Sequence, residues 1–285
     1  MMARSLRLAF LGCLLLVGCA SLSLEQRRSA SSHLAINAGW HRLNLVTDPF
    51  VLAAFVPTHL QLGEVLTIYI EGDGLAWIDS STPSLDPTPL NALALKLAMK
   101  HPSGAVAYLA RPCQYIAGED RIGCEKKYWT SHRFSPVVVE STNTAIEKMK
   151  QRFHAKNIEL IGYSGGGAIA TLVAAKRNDV TRLITIAGNL DHEAWTSLHH
   201  ISRLSGSLNP ASAWLAVVNI PQLHFVGAKD SNMPLVIAQS YQAQFPESKR
   251  PELMVVDGMG HDCCWVENWP ALYAQSKHQN VFTQP

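Results

Sequence analysis

The chain has 285 residues, of which 47% are hydrophobic and 16% are charged, and its formal net charge at pH 7 is only +2. This length and composition are enough to bury a full-sized core, which excludes a disordered protein. No cluster of lysine and arginine with interleaved aromatic residues occurs, so neither nucleic acid nor a polybasic membrane contact is expected. We predict one globular domain whose ligands are not selected by bulk charge.

The N-terminus departs from this average composition. Arg4 and Arg7 precede an apolar stretch over residues 8–17, which is too short to span a bilayer. A basic start followed by a short apolar stretch is typical of an export signal.

The apolar stretch ends in Leu-Val-Gly-Cys at residues 16–19, which resembles the lipobox of bacterial lipoproteins. The resemblance implies a signal peptide over residues 1–18 and attachment of lipid to Cys19. Two or more acyl chains would anchor the protein stably to a membrane. Ala20, in place of aspartate, implies sorting to the outer membrane, facing the periplasm. The alternative is an ordinary cleaved signal peptide with a chance cysteine.

Residues 19–41 are rich in serine and lack a clear hydrophobic period, so they predict a tether between the lipid and the domain. The domain itself is predicted over residues 42–285. Eight short apolar runs within it predict strands, at residues 43–46, 51–56, 65–70, 105–109, 158–163, 183–187, 222–227 and 253–257. Five longer patterns predict helices, at residues 90–100, 136–154, 166–177, 234–245 and 263–274.

The order of these elements predicts an α/β fold. Only a short segment with Thr47-Asp48-Pro49 separates the first two strands, which indicates an antiparallel hairpin, and the other strands alternate with helices. We therefore predict a mostly parallel eight-stranded sheet with helices on both faces. Residues 188–219 interrupt the alternation and carry apolar side chains that suggest a small cap, namely Trp195, Leu198, Leu204, Leu208 and Trp214.

The strand at residues 158–163 leads into Gly162-Tyr163-Ser164-Gly165-Gly166 and then into an apolar helical stretch. A serine on so sharp a turn requires small residues two positions before and after it, because strand and helix approach closely there. The segment resembles the nucleophile elbow of the α/β-hydrolase superfamily. Alternatively, it is a glycine-rich turn whose serine only caps a helix.

A nucleophilic serine needs a histidine base, and the histidine needs a carboxylate. The resemblance implies that the acid follows the serine in the chain and that the histidine comes last. Asp230 is the favoured acid, because it follows an apolar strand and precedes a proline that starts the next helix. Asp257 and Asp191 are the alternatives for this role. Only His261 combines this order with a glycine-rich loop after the last strand. The predicted triad is Ser164, His261 and Asp230.

The same resemblance implies two backbone N–H donors for the oxyanion of a tetrahedral intermediate. Gly165 follows the nucleophile and supplies one of them. The loop after the third strand reads Glu71-Gly72-Asp73-Gly74, with Glu71 where many relatives have histidine. Asp73 is the favoured second donor and Gly72 is the alternative.

An exported protein is expected to oxidise some of its cysteines. Apart from Cys13 and Cys19, the cysteines are Cys113, Cys124, Cys263 and Cys264, which allow three pairings. Adjacent cysteines such as Cys263 and Cys264 pair only with a strained geometry. We favour a disulfide between Cys113 and Cys124.

The resemblance implies a serine hydrolase that cleaves carboxylic esters through an acyl-enzyme intermediate. Peptide or thioester cleavage on the same triad, and a non-catalytic binding lipoprotein of the cell envelope, are the alternatives. Neither a cofactor nor a metal is expected, because the CxxC and HExxH ligand spacings do not occur.

Overall fold

The computed structural model describes residues 23–279. The predicted signal peptide and Cys19 lie outside the described residues. Within them, no helix has the length and apolar character needed to cross a membrane.

Eight strands form a single sheet in the order β1-β2-β4-β3-β5-β6-β7-β8. The strands are β1 Trp40–Val46, β2 Val51–Pro57, β3 Val65–Ile70, β4 Ala105–Leu109, β5 Asn157–Tyr163, β6 Val180–Ile186, β7 Gln222–Gly227 and β8 Glu252–Val256. The first two form the predicted antiparallel hairpin, β2 also pairs antiparallel with β4, and the remaining pairs are parallel. The predicted mostly parallel, eight-stranded sheet is confirmed.

Helices cover both faces of the sheet, and one hydrophobic cluster lies on each face. The helices are α1 Leu24–Asn37, α2 Leu93–Met99, α3 Pro136–Arg152, α4 Gly165–Ala174, α5 His192–Leu198, α6 Trp214–Val217, α7 Leu235–Gln242 and α8 Trp265–Gln279. The five helices predicted in the domain are present, with ends that differ from the prediction by at most five residues. The predicted cap segment contains α5 and α6.

The structure differs from the predicted tether, because residues 24–37 form α1 and pack on the domain. Ser23 begins α1 with a capping box, in which its side chain accepts from the Gln26 N–H and the Gln26 side chain accepts from the Ser23 N–H. Arg27 donates to the Thr88 carbonyl, and Arg28 forms an ion pair with the buried carboxylate of Asp86. These contacts hold a helix whose sequence lacks the hydrophobic period of an amphipathic helix.

The loops after β3, β5, β7 and β8 lie at the carboxyl edge of the parallel part of the sheet. β3 and β5 are neighbours in the sheet, as are β7 and β8. This arrangement brings the segments that carry Glu71–Asp73, Ser164, Asp230 and His261 to one edge, which is where open α/β sheets bind ligands.

Candidate active site

Ser164 lies on the tight turn between β5 and α4. Its backbone has φ 51° and ψ −121°, in the left-handed region that residues other than glycine rarely adopt. A Cβ atom on Gly162 would collide with the Gly166 carbonyl oxygen, and one on Gly166 would collide with the Ile70 carbonyl oxygen. The flanking glycines therefore allow the close approach of strand and helix, and the turn presents the Ser164 side chain at the edge of the sheet.

The structure brings Ser164, His261 and Asp230 together in a chain of hydrogen bonds. His261 Nε2 lies 3.0 Å from Ser164 Oγ, and His261 Nδ1 lies 2.9 Å from Asp230 Oδ2. These distances let the imidazole take the serine proton while the carboxylate orients the ring. The three residues come from the elbow and from the loops after β7 and β8.

Asp230 is held by its own loop. Its Oδ1 accepts the N–H groups of Asn232 and Met233, which leaves Oδ2 facing His261. Burial opposes ionisation of this carboxyl, but the His261 bond and the two N–H groups outweigh it and keep its pKa below the usual value.

The competing carboxylates have other surroundings. Asp191 caps α5 by accepting the N–H groups of Glu193 and Ala194. Asp257 is exposed. Neither is bonded to His261, so the geometry supports Asp230 as the acid.

The loop that carries His261 is anchored on both sides of the histidine. Tyr163, the residue before Ser164, donates from its hydroxyl to Asp262 Oδ1 at 2.6 Å. The Trp265 indole N–H donates to the Gly260 carbonyl at 2.9 Å and reaches the His261 carbonyl at 3.2 Å. These bonds fix the backbone around His261. The sequence prediction did not assign Tyr163 or Asp262 a role.

Two pairs of cysteines are bonded in the structure. Cys113 and Cys124 form the favoured disulfide, with a Cα–Cα distance of 5.6 Å, in the loop after β4. Cys263 is bonded to Cys264, directly after the His261 loop.

The backbone N–H groups of Gly165 and Asp73, which lie near Ser164, donate to no acceptor among residues 23–279. Gly165 is the first residue of α4, where the helix leaves its N–H groups free. The Gly72 N–H, in contrast, donates to Glu71 Oε1 at 3.0 Å. Asp73 and Gly72 are the two candidate donors that the sequence predicts in this loop. The geometry favours Asp73, because the Gly72 N–H already donates to Glu71.

The Asp73 carboxylate lies against the Cα of Gly165 and is held by two arginines. Arg111 Nη1 lies 3.1 Å from its Oδ1 and Arg133 Nη1 lies 2.6 Å from its Oδ2. Burial would raise the pKa of Asp73, but the two guanidinium groups outweigh it and lower that pKa. The arginines thus offset a negative charge that would otherwise repel an oxyanion. The sequence prediction missed both arginines.

Glu71 is a second buried carboxyl in this loop. It accepts the N–H groups of Gly72 and Ala94 and the hydroxyl of Tyr108. Burial nevertheless raises its pKa to about 7. It occupies the position where the resemblance led us to expect histidine, and its bonds fix the start of the oxyanion loop.

Two clefts meet at Ser164. The histidine cleft, of about 350 Å³, is lined by Glu71, Leu90, Asn91, Tyr163, His261 and Asp262 among others. The cap cleft, of about 670 Å³, lies between the β3 loop and the cap and is lined by Trp77, Arg133, Trp195, Ile201, Leu204 and Met233 among others. Ser164, Asp73, Gly74 and Asn232 border both clefts. The site therefore has separate room on either side of its serine.

Nothing in the described part of the chain resembles a metal centre, because residues 23–279 contain no group of three or more His, Cys, Asp or Glu side chains placed to hold an ion. The arrangement at Ser164 is suited to acyl transfer by its own side chains and N–H groups.

Searches against protein-family models and against curated proteins find no match. Solved structures do match. The chain is similar to an α/β serine hydrolase homologue from Coxiella burnetii, with a TM-score of 0.57 and 15% identity over 84% of this chain and 96% of that one. It is also similar to an α/β serine hydrolase without a lid from Xanthomonas campestris, with a TM-score of 0.56 and 13% identity over 86% and 97%.

A third similar structure is Est1E from Butyrivibrio proteoclasticus, with a TM-score of 0.55 and 15% identity over 84% of this chain and 98% of that one. At these identities the likeness concerns the fold. The chain has the α/β-hydrolase fold.

Proposed function

We propose that this chain is a serine hydrolase that cleaves carboxylic esters through an acyl-enzyme intermediate. The observation that carries the proposal is the hydrogen-bonded chain from Ser164 through His261 to Asp230, on a strained elbow beside two free N–H groups. A Gly-rich turn that only caps a helix would not require these hydrogen bonds, and the Ser164 side chain does not cap α4.

In the first half of the reaction, Ser164 Oγ attacks the ester carbonyl while His261 Nε2 takes its proton. The Gly165 and Asp73 N–H groups stabilise the oxyanion. His261 then gives the proton to the leaving alcohol, and the acyl group stays on Ser164. In the second half, His261 activates a water molecule that releases the carboxylic acid and restores the serine.

The test is steady-state hydrolysis of simple esters by the purified protein and by Ser164→Ala. We expect kcat to fall by about 10⁶-fold, as when such a nucleophile is removed. Ser197→Ala is the matched control, because Ser197 is exposed on α5 and makes no contact with the triad. Equal turnover by wild type and Ser164→Ala would contradict the proposal.

Two alternatives are separated by the same proteins. Peptide or thioester cleavage uses the same triad, and it would be revealed by turnover of an amide or thioester faster than that of the matching oxygen ester. A non-catalytic binding platform would turn over none of the three.

We also propose that the protein is a lipoprotein of the bacterial cell envelope, anchored through Cys19, in the outer membrane facing the periplasm. The lipobox at residues 16–19 supports this localisation. Because α1 begins at Leu24 and packs on the domain, only residues 20–23 separate Cys19 from the folded part, a span of at most about 14 Å. The domain would lie against the membrane surface. Metabolic labelling with an alkyne fatty acid should mark the wild type and not Cys19→Ala.

A further inference from the structure

The two clefts at Ser164 differ in their relation to His261. His261, Tyr163 and Asp262 line the histidine cleft and are not among the residues that line the cap cleft within the described chain. Ser164 borders both. A substrate bound at Ser164 therefore extends into the histidine cleft, next to His261, and into the cap cleft, away from His261.

In acyl transfer, His261 gives a proton to the leaving alcohol. This requirement determines which half of an ester lies in which cleft. When the tetrahedral intermediate collapses, the bond from its carbon to the leaving oxygen breaks, and that oxygen takes the proton from His261 Nε2. The leaving oxygen must lie within hydrogen-bond reach of that nitrogen. The oxyanion points to the Gly165 and Asp73 N–H groups. The remaining substituent, the acyl chain, is directed away from His261.

The linings of the two clefts match this division. The histidine cleft carries the carboxyl group of Asp262, and none of the described residues that line it is a lysine or arginine. The charge of Asp73, which lines both clefts, is offset by Arg111 and Arg133. Such a surface suits a polar leaving group without negative charge.

The cap cleft is about twice as large, and six of its lining side chains are apolar: Ala76, Trp77, Trp195, Ile201, Leu204 and Met233. The cleft has two arginines: Arg133 is paired with Asp73, whereas Arg203 is exposed and forms no ion pair among residues 23–279. Its two tryptophans come from different segments, Trp77 from the region after β3 and Trp195 from α5, and they suit an aryl or alkyl chain.

We propose that the cap cleft binds the acyl part of the substrate and that the histidine cleft binds the alcohol. The preferred substrates are then esters of bulky apolar acids with small, polar, uncharged or cationic alcohols. This assignment rests on the proposed serine hydrolase function. Ile201 and Leu90 are specificity-determining residues, one on each side of the serine.

A pair of reversed esters tests the assignment. Methyl 3-phenylpropanoate and 2-phenylethyl acetate are isomers that place the same aromatic group on the acyl side or on the alcohol side. We expect kcat/KM for methyl 3-phenylpropanoate to be higher by about tenfold or more, because burying such a group in an apolar cleft discriminates by that order. Both reactions release a carboxylic acid, and titration at constant pH measures the rate of that release.

Two matched variants locate the preference. Ile201 and Leu90 are aliphatic side chains that are 45% and 64% exposed, so replacing either with alanine removes little from the core. Ile201→Ala should lower the ratio of the two kcat/KM values by about threefold to tenfold, and Leu90→Ala should raise it or leave it unchanged.

The outcomes separate the assignment from the function. If a fluorophosphonate labels Ser164 and the enzyme prefers 2-phenylethyl acetate, or if Leu90→Ala rather than Ile201→Ala removes the preference, the assignment is wrong and the serine hydrolase stands. If the folded protein is not labelled and hydrolyses neither ester, the proposed function itself fails.

Discussion

The two sides of Ser164 each hold an aspartate, and they hold it by different means. Asp230, on the histidine side, accepts the N–H groups of Asn232 and Met233, two and three positions further along its own loop. Asp73, on the oxyanion side, is paired with Arg111 and Arg133, 38 and 60 positions away. The proposed acid, Asp230, is held by neighbouring residues of its own loop, whereas the loop of the proposed oxyanion donor, Asp73, depends on buried charges from distant segments.

This difference separates the expected consequences of substitution. Replacing the His261 side chain should remove catalysis and leave the fold largely intact, since the bonds that hold its loop go to Asp262 and to backbone carbonyls. Changes on the oxyanion side should lower stability, because they leave buried charges without a partner.

The largest effect is expected for the base. His261→Ala should lower kcat by about 10⁶-fold, and adding Ser164→Ala should lower it no further, because the two residues act as a unit. His59→Ala is the control, since His59 is exposed and distant from the triad in the chain. Losses that multiply in the double variant would show that the two residues act independently.

The next effect concerns the acid. Asp230→Asn keeps the shape of the side chain but no longer fixes the required tautomer of His261, so kcat should fall by about 10⁴-fold. Asp257→Asn, at the exposed competitor, should leave kcat within about twofold of wild type. A larger loss in Asp257→Asn than in Asp230→Asn, measured on the same ester, would assign the acid role to Asp257.

On the oxyanion side, Asp73→Asn should lower the free energy of unfolding by about 3–5 kcal/mol, because it leaves the buried guanidinium groups of Arg111 and Arg133 without a compensating carboxylate. The Arg111 and Asp73 side chains are 5% and 16% exposed. Lys156→Met breaks an ion pair with Glu64 in which both side chains are more than 70% exposed, and it should cost no more than about 1 kcal/mol. Chemical denaturation measures both; equal costs would mean that the Asp73 network does not support the loop.

A smaller effect is expected from Glu71, whose pKa is raised by burial to about 7. Between the ordinary pKa of 4.5 and pH 7 the folded state binds the extra proton, so stability should fall as pH rises through this window. Glu71→Gln removes the titration and should gain up to about 3 kcal/mol relative to wild type between pH 4 and pH 8. Denaturation curves at the two pH values give this gain. An unchanged difference between the two proteins would mean that Glu71 titrates normally.

Much of the fold and of the histidine side could be predicted, because the signals are local. The eight strands stand out as short apolar runs, and Gly162 and Gly166 mark the close approach of β5 and α4. Asp230 and His261 each follow a strand that ends at the same edge of the sheet. Their order in the chain, together with that placement, was enough to predict which residues the fold brings to Ser164.

The oxyanion side could not be predicted to the same depth. Arg111 and Arg133 reach Asp73 only through tertiary contacts, and nothing in their neighbourhood in the sequence marks them as partners. Helix α1 was missed for a related reason, because Arg27 and Arg28 hold it on the domain. One local signal for it was available, the capping box formed by Ser23 and Gln26.

The central claim is that Ser164 is an activated nucleophile, and the most direct measurement is the site of a covalent adduct. The folded protein is treated with a fluorophosphonate and digested, and the modified peptide is identified by mass spectrometry, with His261→Ala in parallel. We expect one adduct, on Ser164, that forms far more slowly in His261→Ala. An adduct on another residue, or a folded wild-type protein that stays unmodified, would contradict the claim.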